Sequence, residues 1–253
     1  MILELNELTM QFGGITALDH ISVGVEEKTI HGVIGPNGSG KTTLFNVING
    51  IYTPTGGTVT FMGENITGLK PHQIAKKGIC RTFQLLRIFP SMTLLENLMI
   101  ALTTKEKATA ADCMFSTPRM HKEQRLMAEK AMEILRVIGL EKKAYNSAAG
   151  ISIGQRRMLQ LGQGIISAPK LLLLDECAAG LDPVNIEKLI ELILYIRSEL
   201  GITIMMVEHI MNVVMRVSDV LTVLDYGERI FVGDPREAVE NPHVIEAYLG
   251  ADA

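Results

Sequence analysis

A glycine-rich run lies between an apolar stretch, Ile30–Ile34, and a segment of helical character that begins at Lys41. The run reads Gly35-Pro36-Asn37-Gly38-Ser39-Gly40-Lys41-Thr42-Thr43. A strand, a glycine-rich loop and a helix in this order are the context of a phosphate-binding P-loop. The glycines let the backbone turn tightly, so that successive amide N–H groups point at an anion beside a helix N-terminus. The run therefore predicts that the chain binds a nucleoside triphosphate.

The polar residues that end this run have separate predicted tasks. We expect Lys41 to neutralise the outer phosphates and Thr42 to supply a hydroxyl ligand to Mg²⁺. The next residue, Thr43, is placed to donate a hydrogen bond to a phosphate oxygen. A bound triphosphate and Mg²⁺ are therefore both expected at this loop.

Two adjacent acids, Asp175 and Glu176, follow the apolar residues Leu171–Leu174. A buried strand of this kind delivers Asp175 to the strand end, where its carboxylate can hold the shell of the Mg²⁺ ion. Glu176 is then positioned to activate an attacking water molecule. This pair favours hydrolysis of the triphosphate over transfer of a phosphoryl group to a second substrate.

A second phosphate-seeking surface is predicted at residues 151–155. Ser152 offers a hydroxyl and Gly154 an amide, and Gln155 stands directly before Arg156 and Arg157 at the start of a predicted helix. A hydroxyl, an amide and a helix N-terminus together attract anions. One chain has little use for two such surfaces around a single triphosphate.

These motifs together resemble those of the ATP-binding-cassette (ABC) ATPases, whose signature loop usually reads Leu-Ser-Gly-Gly-Gln. Ser152, Gly154 and Gln155 match that loop, whereas Ile151 and Ile153 replace its leucine and its first glycine. The resemblance implies that the loop completes the ATP site of a partner subunit in a head-to-tail dimer.

Four further residues match family positions in the usual order. The resemblance implies that Gln84 contacts Mg²⁺ and links the nucleotide to a helical subdomain, and that Asp182 is the D-loop aspartate. It also implies that His209 senses the γ-phosphate and that Phe12 stacks on adenine. Taken singly, each residue also has a structural explanation: Phe12 could pack in the core, His209 could begin a helix, and Asp182 could cap a helix. Their joint order favours the family roles.

The chain is similar over nearly its whole length to the ATPases of branched-chain amino-acid importers. The resemblance implies an ATP-hydrolysing motor for uptake of branched-chain amino acids or a related small polar solute such as urea or an amide. The runs that carry it are Phe12-Gly13-Gly14-Ile15-Thr16-Ala17-Leu18, Arg81-Thr82-Phe83-Gln84, Thr93-Leu94-Leu95-Glu96-Asn97-Leu98, Ala178-Ala179-Gly180-Leu181-Asp182-Pro183 and Pro242-His243-Val244-Ile245-Glu246-Ala247-Tyr248-Leu249-Gly250.

The chain departs from this group at two places. Cys177 stands where a proline usually follows the catalytic glutamate, and Gly162 and Gly164 replace alanines in the helix after the signature loop. Each helix glycine costs about 1 kcal/mol relative to alanine. Close packing of neighbouring side chains is the compensation that we expect.

Alternating strand-like and helix-like segments predict an α/β fold with a P-loop NTPase (RecA-like) core and a parallel sheet. Short alternating segments around the P-loop predict an antiparallel β-subdomain with strands at Ile2–Leu8, Ile21–Val25 and Thr58–Phe61. Helical periodicity predicts an inserted α-helical subdomain. We expect one ABC ATPase domain, 1–253, with a nucleotide-binding core at 1–84 and 165–253. The helical subdomain with the signature loop then covers 85–164.

The bulk composition narrows the range of partners. The chain has 253 residues, 47% of them hydrophobic, and a formal charge of −4, so it lacks the basic footprint of a nucleic-acid binder. Cys80, Cys113 and Cys177 are too widely spaced for a disulfide framework or a zinc site. The N-terminal residues carry acids early rather than an export signal, and the apolar runs are too short to span a bilayer. We expect a cytoplasmic protein.

The resemblance also implies the remaining partners. They are a second ABC ATPase subunit, with a paralogue favoured over an identical chain, and transmembrane permease subunits, with a solute-binding protein acting indirectly. The chain would then lie peripherally on the inner face of the cell membrane. We expect the apolar stretch 85–98, with Leu86 and Phe89, to receive a cytoplasmic helix of the permease.

Three other functions stay open at this point. An exporter motor of the lipopolysaccharide type is similar in sequence. A soluble cassette ATPase acting on DNA or ribosomes is disfavoured by the short interval between Gln84 and Ser152 and by the absence of a basic face. A P-loop kinase has no use for Ser152 or His209.

Overall fold

The computed structural model describes residues 1–82, 88–102 and 118–249. Gln84, Leu85, Leu86, Cys113 and Gly250, which the sequence analysis singled out, lie outside these ranges. The chain forms two compact units. One comprises Met1–Arg81, Lys170–Ala179 and Ile193–Ala253, and the other comprises Thr82–Pro169 and Gly180–Leu192. The predicted domain boundaries at 84/85 and 164/165 stay a prediction.

A six-stranded sheet forms the centre of the first unit. Its strands are β3 (Ile30–Ile34), β6 (Ile79–Arg81), β7 (Leu171–Asp175), β8 (Thr203–Val207), β9 (Val220–Asp225) and β10 (Glu228–Gly233). They lie in the order β10-β9-β3-β8-β7-β6, and all neighbours are parallel except the β9–β10 hairpin. Every residue of β3, β7 and β8 is buried, as near-continuous apolar strands are in a parallel sheet. The predicted α/β fold with a parallel core is confirmed.

A second sheet in the same unit is antiparallel and has four strands. These are β1 (Leu3–Phe12), β2 (Ile15–Val25), β4 (Gly56–Phe61) and β5 (Glu64–Asn65), in the order β2-β1-β4-β5. The first strand continues beyond the predicted end at Leu8 because a turn at Gly13, with a φ of 58°, pairs Phe12 with Ile15. The antiparallel β-subdomain is thus present, with longer strands than the alternating pattern indicated.

Helices complete the first unit and make up most of the second. Those of the first unit are Lys41–Ile48, Pro71–Lys77, Met211–Val217, Pro235–Glu240 and Pro242–Leu249. Those of the second unit are Leu94–Ile100, Pro118–Val137 and Ile153–Ile165, and the helix Pro183–Ser198 is shared between the units. The inserted helical region that the sequence predicted is therefore present.

Gly162 lies where helices of the second unit pack closely. A Cβ atom at this position would come within 3.1 Å of Ile138 Cδ1 and Leu98 Cδ2 and within 3.2 Å of Ile134 Cγ2. Such distances are shorter than ordinary carbon contacts, so an added methyl group would push these side chains apart. Gly162 thus lies at a closely packed position, where an added methyl group would need its neighbours to shift by a few tenths of an ångström.

Candidate active site

The glycine-rich loop 35–40 joins the buried strand β3 to the helix Lys41–Ile48. Gly38 and Gly40 have left-handed backbone conformations, with φ of 83° and 102°. A Cβ on Gly40 would also come within 2.6 Å of the Ala17 carbonyl oxygen. Gly40 is the N-cap of this helix and, being a glycine, offers no side-chain acceptor to the amide donors of the first turn. This geometry fits a bound phosphate group.

Lys41 extends along the same loop. Its Nζ donates hydrogen bonds to the carbonyl oxygens of Gly35 and Pro36, each at 2.8 Å, and to Ser39 Oγ at 3.4 Å. Burial lowers the pKa of the Lys41 ammonium, and the nearby negative charge of Glu176 offsets part of this shift. The loop therefore holds a cation beside the helix N-terminus, where the outer phosphates of a nucleotide would bind.

Asp175 ends strand β7 and is held by an arginine. Its Oδ2 accepts a hydrogen bond of 2.6 Å from Arg81 Nη2, and the two side chains are only 8% and 5% exposed. Arg81 Nη1 also donates to Asn46 Oδ1 at 2.6 Å, and its guanidinium carbon lies 5.6 Å from the centre of the Phe45 ring. Arg81 thus joins the end of β7 to the helix that follows the P-loop.

No individual role for Arg81 followed from the sequence. Its strand, β6, has three residues, which is too short for a periodic pattern to reveal. The available signal was a charged residue within an otherwise apolar run, three positions before Gln84.

Glu176 has a strained backbone. Its φ is 47°, a left-handed conformation that few residues other than glycine adopt. Its N–H donates to the Val207 carbonyl oxygen at 2.9 Å, which ties the acid to the end of the neighbouring strand β8. Strain of this kind clusters at functional sites, where the surroundings hold it in place.

His209 follows the end of β8 and its side chain is 59% exposed. The backbone N–H of His209 donates a hydrogen bond to Oε1 of Glu208 at 3.2 Å. Burial raises the pKa of Glu208, and hydrogen bonds from the backbone of Ala178, His209 and Ile210 oppose that shift. The burial of Glu208 could not be predicted from the sequence, because an acid at a strand end usually faces solvent.

Phe12 ends strand β1 and is 42% exposed. Its ring lies edge-on to Tyr52, with centroids 5.2 Å apart and an interplanar angle of 76°. An aromatic ring held in this way and open to solvent can stack on a nucleotide base. Core packing alone does not describe a side chain with this exposure.

A cavity of about 670 Å³ adjoins the outer part of the P-loop. Residues 36–39, the turn at Asp225 and Tyr226, and the C-terminal helix with His243 and Glu246 line it. Burial raises the pKa of the Tyr248 hydroxyl on that helix, and a hydrogen bond with the Gly35 backbone offsets part of the rise. The C-terminal helix therefore packs beside the P-loop, which no feature of the sequence predicted.

The magnesium site was predicted from Thr42, Asp175 and Gln84, of which Gln84 is outside the described residues. Within the described ranges, no three His, Cys, Asp or Glu side chains cluster so as to hold a metal ion. Mg²⁺ needs no such cluster, because one or two carboxylates together with substrate phosphates and waters usually hold it. The hydroxyl of Thr42 and the carboxylate of Asp175 fit that requirement.

In the second unit, Ser152 caps the helix Ile153–Ile165. Ser152 Oγ accepts from the Gln155 N–H and the Ser152 N–H donates to Gln155 Oε1, both at 3.3 Å. Ile151, which stands in place of the usual leucine, is 6% exposed, so one buried apolar residue substitutes for another. Ile153, which stands in place of the first glycine, is 59% exposed, so its side chain projects outward. The loop geometry therefore tolerates both departures from the usual signature.

Asn185, in the second unit, contacts both Asp182 and the backbone at Gly154. The Asp182 carboxylate accepts from the backbone and side-chain N–H groups of Asn185, which lower the pKa of Asp182. A Cβ on Gly154 would come within 2.6 Å of Asn185 Cγ. Asp182 is thus a helix cap in this structure, and Asn185 packs against the signature loop.

The predicted site residues fall into two groups. Residues 35–43, Phe12, Asp175, Glu176 and His209 belong to the first unit, and Ser152, Gly154, Gln155 and Asp182 belong to the second. Within the described residues, every helix is too short or too polar to span a lipid bilayer.

Comparison with known proteins identifies the family to which the chain is similar. The family model described as "ABC transporter" matches residues 18–179, and that described as "Branched-chain amino acid ATP-binding cassette transporter" matches residues 228–253. The high-affinity branched-chain amino acid transport ATP-binding protein BraF of Pseudomonas aeruginosa is 42% identical over 249 residues, which cover 98% of each chain.

Two solved structures are similar to the whole chain. The ADP conformation of MJ1267, an ATP-binding cassette of an ABC transporter, has a TM-score of 0.86 and 32% identity and covers 98% of each chain. The dimeric post-hydrolysis state of the cassette MJ0796, bound to ADP and Pi, has a TM-score of 0.77 and 25% identity. That alignment covers 93% of this chain and 99% of the other.

Proposed function

The chain belongs to the ABC transporter family, and from this membership we propose that it is the ATP-hydrolysing motor subunit of a membrane importer. The proposed cargo is a branched-chain amino acid or a related small polar solute such as urea or an amide. The C-terminal family match and the similarity to BraF support this cargo class.

One observation carries the proposed chemistry. Strands β3, β8 and β7 are parallel neighbours, with Asp175 in register with Val207. The P-loop follows β3, Asp175 ends β7 and His209 follows β8, so all three lie at the carboxyl edge of one sheet. Ligands of open α/β sheets bind at this edge.

The chain's own residues would divide the work of hydrolysis. Lys41 exchanges the carbonyls of Gly35 and Pro36 for oxygens of the outer phosphates and offsets the charge that develops there. Glu176 accepts a proton from the attacking water, and the exposed His209 holds the γ-phosphate and the water in line.

Phe12 and the metal ligands complete the proposed ATP site. The exposed ring of Phe12 stacks on adenine. When bound, Mg²⁺ would supply positive charge that offsets the charge of the outer phosphates. We propose that Thr42, Asp175 and Gln84 hold it.

The residues of the second unit act on a partner's nucleotide in this proposal. Ser152, Gly154 and Gln155 contact the γ-phosphate bound by a second ABC ATPase subunit, beside the partner-facing Asp182. A paralogue is the favoured partner, and the dimeric state of the cassette MJ0796 supports pairing. ATP stabilises the closed dimer because only that state makes both sets of contacts, and hydrolysis releases it.

The other proposed partners lie in and beyond the membrane. Transmembrane permease subunits bind the stretch 85–98, in which Phe89 is 47% exposed. A solute-binding protein acts on the far side of the permease. The subunit therefore works peripherally on the cytoplasmic face of the membrane, and its charge of −4 disfavours nucleic acid as a partner.

Transport in reconstituted vesicles tests this function. The protein, its companion ATPase subunit, the permease and the solute-binding protein are assembled in vesicles, and ATP-driven movement of labelled leucine, urea and acetamide is measured. We expect directional uptake of at least one solute, lost in Glu176→Gln and kept in the matched control Glu133→Gln, an exposed helix residue. ATP turnover without movement of any of the three solutes, or equal transport by both variants, would contradict the proposal.

A further inference from the structure

Glu208 is a buried acid next to the site residues that has no assigned role. It follows strand β8, directly before His209, and is 1% exposed. Among the described residues, Asp175 and Glu208 are the buried acids, and Asp175 is accounted for by Arg81. A buried carboxylate is costly unless several donors surround it, so its retention calls for a reason.

The two carboxylate oxygens of Glu208 bind different segments of the chain. Oε2 accepts from the Ala178 N–H at 3.1 Å and lies 3.9 Å from the Cys177 thiol. Oε1 accepts from the His209 N–H at 3.2 Å. The Glu208 side chain thus joins the segment after Glu176 to the backbone of His209.

The segment after Glu176 needs such support. Glu176 adopts a φ of 47°, a conformation that persists only when its surroundings hold it. On one side of this strained residue, its own N–H is fixed by the Val207 carbonyl oxygen at 2.9 Å. On the other side, the Ala178 N–H is fixed by Glu208. Both restraints come from the end of β8.

We propose that Glu208 is a positioning residue, which holds the strained turn at Glu176 and aligns that acid with His209. The inference rests on the proposed roles of Glu176 and His209 in hydrolysis. Glu208 itself contacts neither nucleotide nor water in this account. It acts through the backbone N–H groups of Ala178, two residues after Glu176, and of His209, and its Oε1 also lies 3.7 Å from the ring Nδ1 of His209.

The geometry predicts how substitutions at Glu208 differ. A glutamine has one acceptor oxygen, so it can serve one of the two segments while its NH₂ group faces a backbone N–H of the other. An aspartate keeps both acceptors but is one methylene too short to reach both segments. A displacement of the order of 1 Å at a catalytic group costs about 10²-fold in rate.

The test is steady-state ATP hydrolysis by the chain with its companion subunits. For Glu208→Gln we expect kcat to fall by about 10²-fold while KM for ATP stays within about threefold, because the P-loop is untouched. For Glu208→Asp, kcat should fall by about tenfold while KM for ATP stays the same. Thr222→Val is the matched control: Thr222 is fully buried in the same sheet and bonds His31, away from the turn. Its thermal stability should fall while its kcat stays.

The outcomes distinguish failure of the positioning role of Glu208 from failure of the proposed ATPase function. A kcat within threefold of wild type in Glu208→Gln, or equal loss of kcat in Thr222→Val, overturns the positioning role. Should Glu208→Gln fail to fold, Glu208→Asp decides by the same split between kcat and KM. If the wild-type assembly hydrolyses no ATP, it is the proposed function that fails, before Glu208 is considered.

Discussion

Replacement of Arg81 by methionine removes a buried cation and leaves its partner charged. Arg81 and Asp175 are 5% and 8% exposed, so water cannot take over the role of the guanidinium. Breaking a buried ion pair by removing one partner costs about 3 to 5 kcal/mol. Loss of the bond to Asn46 adds about 1 kcal/mol. Methionine keeps an apolar side chain near Phe45, so we expect Arg81→Met to lower the free energy of unfolding by about 5 kcal/mol, the middle of the summed range.

Equilibrium unfolding in denaturant, without nucleotide and at about pH 7, measures this loss. The double variant Arg81→Met/Asp175→Asn is the informative companion, because it leaves no unpaired buried charge. Each single variant leaves one buried charge without its partner. The double variant should therefore lose less stability than the sum of the losses in the two single variants, by at least about 2 kcal/mol. A loss below about 1 kcal/mol in Arg81→Met, or strict additivity of the two changes, would refute the reasoning.

Three further predictions concern other residues of the first unit. Burial lowers the pKa of His31 from 6.5 to about 4. The stability that depends on neutral His31 is therefore fully present above pH 6.5 and is lost as the pH falls toward about 4. Unfolding curves should show a loss of about 2 kcal/mol between about pH 7 and about pH 5, and His31→Gln should largely abolish it. Gly40→Ala should weaken binding of a fluorescent ATP analogue more than about tenfold, because its Cβ meets the Ala17 carbonyl, whereas Gly14→Ala, which meets nothing, should not. Phe12→Ala should raise KM for ATP about tenfold in a steady-state hydrolysis assay without lowering kcat, through lost stacking on the base.

The P-loop and the acids after β7 could be predicted because their signals are local. A glycine-rich loop between an apolar strand and a helix has few other uses. Four leucines before two acids likewise predict a buried strand with a charged end, and β7 runs from Leu171 to Asp175 as expected. Parallel pairing followed from the alternation of strands and helices.

Other features depend on contacts between distant segments, which no local pattern encodes. Strand β6 was missed because three residues carry no periodicity, and with it the pairing of Arg81 to Asp175, 94 positions away. The left-handed φ of Glu176 is set by bonds from the end of β8, since glutamate has no intrinsic preference for it. The burial of Glu208 has the same origin.

The end of strand β1 shows how a local signal can mislead. Alternation appeared to stop at Leu8, but the strand continues to Phe12 because it pairs with β2 through the turn at Gly13. Pairing with a neighbour extended the strand beyond its apolar residues. The exposure of Phe12 at the end of that strand is a result of this extension.

Sedimentation of the Glu176→Gln variant tests most directly whether two chains close over ATP that Glu176 helps to cleave. The chain alone has a mass of 27.8 kDa. With its companion subunit and magnesium, ATP should hold the variant in a stable two-chain species with negligible turnover, and ADP should release single chains. Single chains under both nucleotides, together with undiminished ATP hydrolysis, would contradict the account.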